Sequence, residues 1–379
     1  MLAQSIEVDW VRLIAEVRLP STSLRPRKPD ITYVSRRRFL KHSALIGAAA
    51  LASGVNTLEA RAIEQRGAPA SATKRPIRIL MGGYGPPTTG FSLALKRIGD
   101  RLAAKFGDLV DIKYVYNILD FGYRSEDILW LVEDGVLTLG YQSSSYLTDR
   151  IPELGVVDLP FLFSDTATAR AAMEGPLGGA LTAKVEAATG FRIVGYFENG
   201  FRHVSNRVRP VHTPADMKGL SIRVLPSQVQ ARTFELLGAK PQVMDLTEAI
   251  AAIKAGTLDA QENPFSNTVT YGVHQYHRFH TATNHFYVSR PIFVHRPSFD
   301  AWPRQLQDEL RAAVREAVSF QRDLHVKEEA DAADAITKAG GEIVELTMDE
   351  HRAFVSAVSP IYSEARGQFG RELLALVNL

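Results

Sequence analysis

The sequence predicts an α/β protein of two domains. Three observations carry that expectation. From Pro76 to Phe197, short apolar runs alternate with helix-favouring stretches in the order β-α-β-α-β-α-α-β. After Asn199-Gly200 the alternation restarts. From Pro303 to about Ala339 the chain is continuously helix-favouring, long enough to cross from one domain to the other. A length of 379 residues with 45% hydrophobic content suffices for two buried cores.

The first seventy residues read separately. Ser35-Arg-Arg-Arg-Phe-Leu-Lys41 precedes the apolar run Ala44 to Val55, followed by Leu58-Glu-Ala-Arg-Ala62 with an A-x-A pattern at Ala60 and Ala62. Charged region, apolar region and small-residue cleavage site describe an export signal over residues 1–62, and the paired arginines resemble the twin-arginine type. The apolar run is shorter than the roughly 18–20 residues that span a bilayer. Residues 1–34 lie upstream of it and read as the product of a start codon placed too early. Residues 63–75 read as a flexible lead-in. The expected location is periplasmic.

Residues 1–62 hold ten basic and five acidic side chains, which leaves 34 basic and 37 acidic in the body. A mildly acidic body has no electrostatic footprint for nucleic acid. The absence of cysteine excludes disulfides, iron–sulfur clusters and Cys-ligated zinc.

In the body, Pro76 to Met81 reads as a strand. It runs through Gly82-Gly-Tyr-Gly85 into a helix from Thr89 to Phe106, capped by Thr88 or Thr89. Those glycines match neither G-x-G-x-x-G nor a P-loop. Val110 to Tyr116 is a strand, Ser125 to Glu133 a helix capped by Ser125, and Gly135 to Tyr141 a buried strand. Helices follow at Thr166 to Met173 and Leu177 to Ala188, then a strand at Phe191 to Phe197. The second half reads as strands at Phe201 to Val208 and Met217 to Leu225 and a helix at Gln228 to Leu237. Thr247 caps a helix over 248–255, and another helix spans Ser266 to Tyr276. Strands at Thr283 to Ser289 and Ile292 to His295 come next, then the long helix, a strand at Ile343 to Leu346 and a closing amphipathic helix over 349–376.

Ligands in open α/β sheets gather at the carboxyl ends of strands. That rule places Tyr84, Tyr123, Tyr141, Ser143 and Ser144 at one rim, where the serines equally suit a cap and turn. Arg223 lies among Ile222, Val224 and Leu225, so its strand is expected to be buried. A buried guanidinium must pair with something, either a ligand carboxylate or one of Asp245, Glu248 and Glu262. Arg202 is a second candidate, with a solvated edge strand as the alternative. Arg290, before Pro291, is a third cleft arginine or a hinge ion pair. Asn263, before a proline, presents its amide to a cleft or serves a plain turn. Leu246 is placed with these residues, as are His285 and Tyr287, whose alternation with Phe286 points them toward the cleft. His274, His277 and His280 invite a metal reading, but no fourth acidic ligand stands out and a surface helix end is favoured.

At this point the sequence resembles the DctP-type substrate-binding proteins of TRAP transporters. The resemblance rests on Leu159-Pro-Phe-Leu-Phe163, Asn199-Gly-Phe-Arg202, Pro214-Ala-Asp-Met-Lys-Gly-Leu220 with Ile222-Arg-Val224, Asp259-Ala-Gln-Glu-Asn-Pro264 and Thr283-Asn-His285. It covers roughly Ile77 to Val358. It implies a two-domain periplasmic binding protein fold with hinge strands and a long domain-spanning helix. The domains are expected over residues 76–199 with 289–328 and over 200–288 with 329–379. The resemblance also implies that Arg223 pairs with a ligand carboxylate, that Arg202 is a second contact, and that Asn263 bonds the same end. The family often carries a hydroxyl-reading glutamate near residues 120–123, where this chain has Phe121-Gly-Tyr123. A smaller organic acid between tyrosine walls is therefore expected. The expected partners are that anion and TRAP transporter membrane subunits, with no cofactor and no metal. The rival reading is a twin-arginine-exported enzyme acting on a small organic acid, for which no dinucleotide motif or G-x-S-x-G elbow appears. A third is an envelope scaffold.

Overall fold

A computed structural model describes residues 75–379. The export signal and all but the last residue of the lead-in lie outside the described residues. In chain order the strands are β1 (Ile77–Gly82), β2 (Val110–Val115), β3 (Leu139–Tyr141), β4 (Phe191–Phe201), β5 (His203–Asn206), β6 (Ser221–Val224), β7 (Lys240–Val243), β8 (Ala260–Asn263), β9 (Phe279–Ala282), β10 (Tyr287–His295) and β11 (Glu342–Glu345). The α-helices are α1 (Gly90–Phe106), α2 (Asp127–Glu133), α3 (Thr166–Glu174), α4 (Pro176–Ala188), α5 (Gln228–Leu236), α6 (Leu246–Lys254), α7 (Phe265–Thr270), α8 (Arg296–Ala301), α9 (Arg304–Lys338), α10 (Met348–Val358), α11 (Pro360–Gln368) and α12 (Arg371–Ala375). No helix among the described residues is long and apolar enough to cross a membrane.

The strands form two sheets, ordered β2-β1-β3-β10-β4 and β11-β9-β5-β8-β6-β7. Each sheet has its own core. Ile79, Met81, Leu95, Ile98 and Phe293 fill the first, and Val204, Ile222, Val224, Phe234 and Phe286 the second. The expected two-domain α/β architecture holds. After Val358 the chain returns to the first core, where Ile361, Ala365, Phe369 and Leu373 are buried.

Strand β4 runs antiparallel to β10, from Phe191↔His295 to Phe201↔Tyr287. It leaves the first sheet at Phe201, and β5 begins in the second sheet two residues later. Gly200 makes that passage possible. Its φ is +82°, and a Cβ there would lie 2.4 Å from the His325 Nε2 of α9. Beside it Gln321 of α9 accepts from the Glu198 backbone N–H and donates to the Glu198 carbonyl, both at 2.9 Å. Helix α9 has 35 residues, about 50 Å of helix. Its first half buries Leu306, Leu310 and Val314 in the first core. Its second half packs Ala332 and Ile336 against Phe265 and Ala282.

Several local expectations are corrected. Ser125 does not cap a helix, because its hydroxyl donates to Asp245 at 2.6 Å; α2 starts at Asp127. The cap of α6 is Asp245, whose carboxylate accepts from the Thr247 N–H at 2.9 Å, rather than Thr247 itself. The strand expected from Gly135 is reduced to Leu139–Tyr141, since Gly135 turns at φ +75° and the Leu137 N–H bonds back to Leu131 of α2. The helix expected over 266–276 stops at Thr270, where Gly272 at φ +70° breaks it. The strands expected at 283–289 and 292–295 are one strand, β10. Pro291 fits inside it because register shifts at Val288/Ser289 and Ile292/Phe293 already interrupt the ladder on either side. The closing helix is three helices, with Pro360 opening the second and Gly370 before the third.

Candidate functional site

Two cavities meet between the sheets. The inner one is small, with about 20 Å³ of room for a water-sized group, and is lined by Arg223, Arg202, Arg290, Asn263, Ser143, Tyr84 and Leu246 among the expected residues. The outer one, about 990 Å³ and open to solvent, adds Tyr141, Phe91 and Glu328. Tyr84, Asn267, Tyr271 and Arg290 line both and form the partition.

Local folding explains these positions. Tyr84 and Ser143 follow the carboxyl ends of β1 and β3, as the strand-end rule requires. Arg223 lies on β6 and Asn263 on β8, which are hydrogen-bonded neighbours in the second sheet. Arg290 lies on β10 in the first sheet. Leu246 opens α6.

Arg223 is 1% exposed. Its Nη2 donates to the Tyr146 hydroxyl at 2.9 Å and its Nε to the Met244 carbonyl at 3.1 Å. It forms no ion pair among the described residues, because Asp245 is occupied by Ser125, Glu126 and Thr247. Arg202 is equally buried but differs in partner. Its fork grips Glu262, with Nη2 donating to Oε1 at 2.8 Å and to the Glu262 carbonyl at 2.6 Å. Arg202 guanidinium charge outweighs burial and holds the Glu262 carboxyl below its ordinary range. Arg202 also sits at the break between β4 and β5, not inside a strand.

Arg290 is 4% exposed and packs against the rings of Phe91, Tyr84 and Tyr141, with centroids at 4.1, 5.1 and 5.9 Å. Its Nε has no hydrogen-bond partner. Burial raises the Tyr84 and Tyr146 phenols against the opposing charges of Arg290 and Arg223, so both stay protonated. Asn263 stands in a chain of amides. It donates to Gln261 Oε1 at 3.1 Å, and its Oδ1 accepts from Asn267, which also donates to Asn199 Oδ1 at 2.9 Å.

Four expected residues lie outside both cavity linings. His285 shares a hydrogen bond with Thr283 at 2.6 Å and packs on Phe234. Tyr287 donates to Glu198 at 2.7 Å and packs on Phe201. Both are buried, and because β10 starts only at Tyr287, His285 lies before the strand in which its alternation was read. Tyr123 packs edge-on to Trp130. Ser144 begins a 3-10 turn with its hydroxyl buried. His277 and His280, expected at a surface, are buried, and His277 bonds Ser205 at 2.9 Å. Among the described residues no cluster could hold a metal ion.

Sequence reasoning missed Tyr146, Asn199, Asn267 and Tyr271, all of which line the inner cavity. Asn199 was within reach, because it opens the stretch that ends in Arg202. Asn267 and Tyr271 were hidden by the overlong helix drawn through 266–276.

Two sheets joined by crossing strands, with a polar cavity between them, define a two-domain α/β binding protein. Comparison with known proteins agrees. Residues 117–368 match the family described as "Bacterial extracellular solute-binding protein, family 7". A solute-binding protein of Verminephrobacter eiseniae is 33% identical over 247 residues, covering 65% of this chain and 73% of that one. The 2,3-diketo-L-gulonate-binding periplasmic protein of Escherichia coli is 30% identical over 242 residues, 64% of this chain and 72% of that one. Among solved structures, the sugar acid binding protein of Advenella mimigardefordensis in complex with galactonate superposes with a TM-score of 0.76 at 26% identity, covering 80% of this chain and 97% of that one. The chain belongs to family 7 of the bacterial extracellular solute-binding proteins, the substrate-binding proteins of TRAP transporters. This is a family of extracytoplasmic receptors.

Proposed function

We propose that the protein is a periplasmic receptor for an organic acid anion, that Arg223 anchors the ligand carboxylate, and that the receptor hands its ligand to TRAP transporter membrane subunits. One observation carries the reading. Arg223 is buried without an ionic partner and faces a cavity with no acidic lining. A buried guanidinium gains most from a carboxylate that matches its fork bidentately. Tyr146 fixes the plane of that fork, and Asn263 lies on the neighbouring strand to meet the same end. The relatives that bind 2,3-diketo-L-gulonate and galactonate support an organic acid. Such a ligand touches both domains and stabilises the closed form by its higher affinity for it. No covalent step is needed. Export by the twin-arginine route completes the proposal, on the strength of Arg36, Arg37 and Arg38 before the apolar run.

The test is a thermal-shift panel of monocarboxylates, sugar acids and dicarboxylates, followed by calorimetry. At least one acid should bind at micromolar strength, about −8 kcal/mol. Arg223→Ala should remove that binding while unfolding stays cooperative. Undiminished affinity in the variant would sink the proposal.

A further inference from the structure

Arg223 and Asp245 stand on the same side of the cleft. Arg223 is on β6, and Asp245 caps α6 just after β7, the strand paired with β6. Two hydroxyls from the opposite side join them. Tyr146 follows β3, and Ser125 precedes α2, whose Ile128, Leu131 and Val132 are buried in the first core. The guanidinium donates to the Tyr146 hydroxyl at 2.9 Å, and the Tyr146 and Ser125 oxygens are 3.3 Å apart. Ser125 donates its single hydroxyl proton to Asp245 Oδ2 at 2.6 Å, which leaves the Tyr146 proton to point at the Ser125 oxygen. The four groups form one directed chain, from guanidinium through two hydroxyls to carboxylate, in which each bond polarises the next.

Asp245 grips more than the hydroxyl. It also accepts from the Glu126 N–H at 3.1 Å and the Ser125 N–H at 3.4 Å, while the Thr247 N–H at 2.9 Å comes from its own helix. Three of these four donors therefore belong to the other domain. Asp245 is 2% exposed and Ser125 is fully buried. A carboxylate so placed has lost its water, and the crossing donors replace that water only while the two sides stay together. Burial works against the charge, yet the Ser125 hydroxyl and the Thr247 and Glu126 N–H groups outweigh it and hold the carboxyl below its ordinary range. Leu246, the next residue, is buried among residues of the first core. Arg124 and Glu248 cross the same seam at 3.1 Å, but both are about half exposed and add little.

We infer that Asp245 is the latch of the cleft, holding the two domains closed through Ser125 and Glu126 before any ligand arrives and setting Tyr146 against Arg223. Asp245 is a positioning residue, acting on the ligand anchor through two hydroxyls. The latch goes beyond the receptor reading, because it operates without a ligand. The more the closed form is populated beforehand, the less of a ligand's binding energy is consumed in closing.

The experiment is a distance measurement on the ligand-free full chain. The chain has no cysteine, so Lys113→Cys with Lys240→Cys places two spin labels and no others. Both sites are exposed, on the edge strands β2 and β7, which in sheet order lie farthest from the β4–β5 crossing. Double electron–electron resonance should find a closed population at the shorter distance. Asp245→Asn still caps α6 but meets the Ser125 and Glu126 donors without its charge, and should lower the closed-to-open ratio about tenfold or more. Ser125→Ala should act in the same direction, and the double substitution should lower the ratio no further than the stronger single one. If Asp245→Asn does not fold, Ser125→Ala carries the test, since no side chain caps α2. A purely structural role lowers the urea midpoint and leaves the distances unchanged. That result overturns the inference, as do a labelled chain found only open and two substitutions whose effects add. The measurement contains no acid, so unchanged distances sink the latch alone, and an acid panel in which nothing binds sinks the receptor alone.

Discussion

Arg202 and Glu262 close on each other with both side chains out of solvent, the guanidinium Nη2 reaching Oε1 at 2.8 Å and the Glu262 carbonyl at 2.6 Å. Arg202 lines the inner cavity and Glu262 does not, so one of the three arginines there is already held by the protein itself. Its neighbours Arg223 and Arg290 are not. This ranks the arginines by what they lack rather than by where they fall in the chain.

Glu262→Gln removes the counter-charge and leaves Arg202 buried alone. Breaking a buried pair from one side costs about 3–5 kcal/mol. Urea denaturation at neutral pH should show a loss of that order. A loss below about 1 kcal/mol would mean that Arg202 finds solvent or another acceptor.

Tyr146 accepts from Arg223 and does no other work on it that phenylalanine would lose. Tyr146→Phe should keep the ring packing and release the guanidinium plane. We expect about tenfold weaker ligand binding by calorimetry, the worth of one hydrogen bond to a charged group. Unchanged affinity would show that the Met244 carbonyl alone positions the fork.

Burial lowers His203 and His277 to about 3 and His280 to about 4. In the unfolded chain they titrate near 6.5. Between these values the unfolded state binds more protons, so stability rises with pH across the window. The contribution is complete above about pH 6.5 and is lost as pH falls toward 4. Urea midpoints measured from pH 8 to pH 4.5 should follow this fall. His277→Gln, which stays neutral, should flatten it, and a slope identical to wild type would refute the assignment.

Asp158 has the opposite sign. Burial pushes its carboxyl up to about 6, and its Oδ2 has no partner, although Oδ1 accepts from Ser145 at 2.8 Å and from Gln230 at 3.2 Å. Its folded value exceeds the unfolded one, so its contribution is present below about pH 4 and is lost as pH rises through 6. Asp158→Asn keeps an oxygen for Ser145 and offers an N–H to the unpartnered Gln230 Oε1. It should stabilise the protein by about 1–3 kcal/mol at pH 8 and by little near pH 4. Destabilisation at pH 8 would show that the carboxylate is needed charged.

Much of the architecture was legible because it rests on local signals. Thr89 caps α1 as its side chain suggests, accepting from the Ser92 N–H at 3.3 Å, and the uninterrupted run after Pro303 becomes α9. The errors came where a distant partner decides a local outcome. Ser125 reads as a cap, but Asp245, far along the chain, claims its hydroxyl. Pro291 reads as a strand break until β4 supplies register shifts around it. At the site, residue chemistry named Arg223 and Arg202 alike. Their difference lies in Glu262, which meets Arg202 only because β8 pairs with β5 at His203↔Asn263 and Val204↔Glu262.

Glu328 and Glu329 are consecutive on α9, yet they hold different helices. Glu328 accepts from the first N–H of α1, at Gly90, whereas Glu329 accepts from Phe265 at 3.1 Å and Ser266 at 2.9 Å, the first two of α7. These two helix starts border the outer cavity from opposite sheets, with Thr89 and Ser266 in its wall. The gauge of the doorway is thereby fixed by one peptide step of a third helix, and no loop has to measure it. Gly90 is part of the same gauge, since a Cβ there would stand 2.8 Å from the Glu328 carboxylate, which would have to shift from its place.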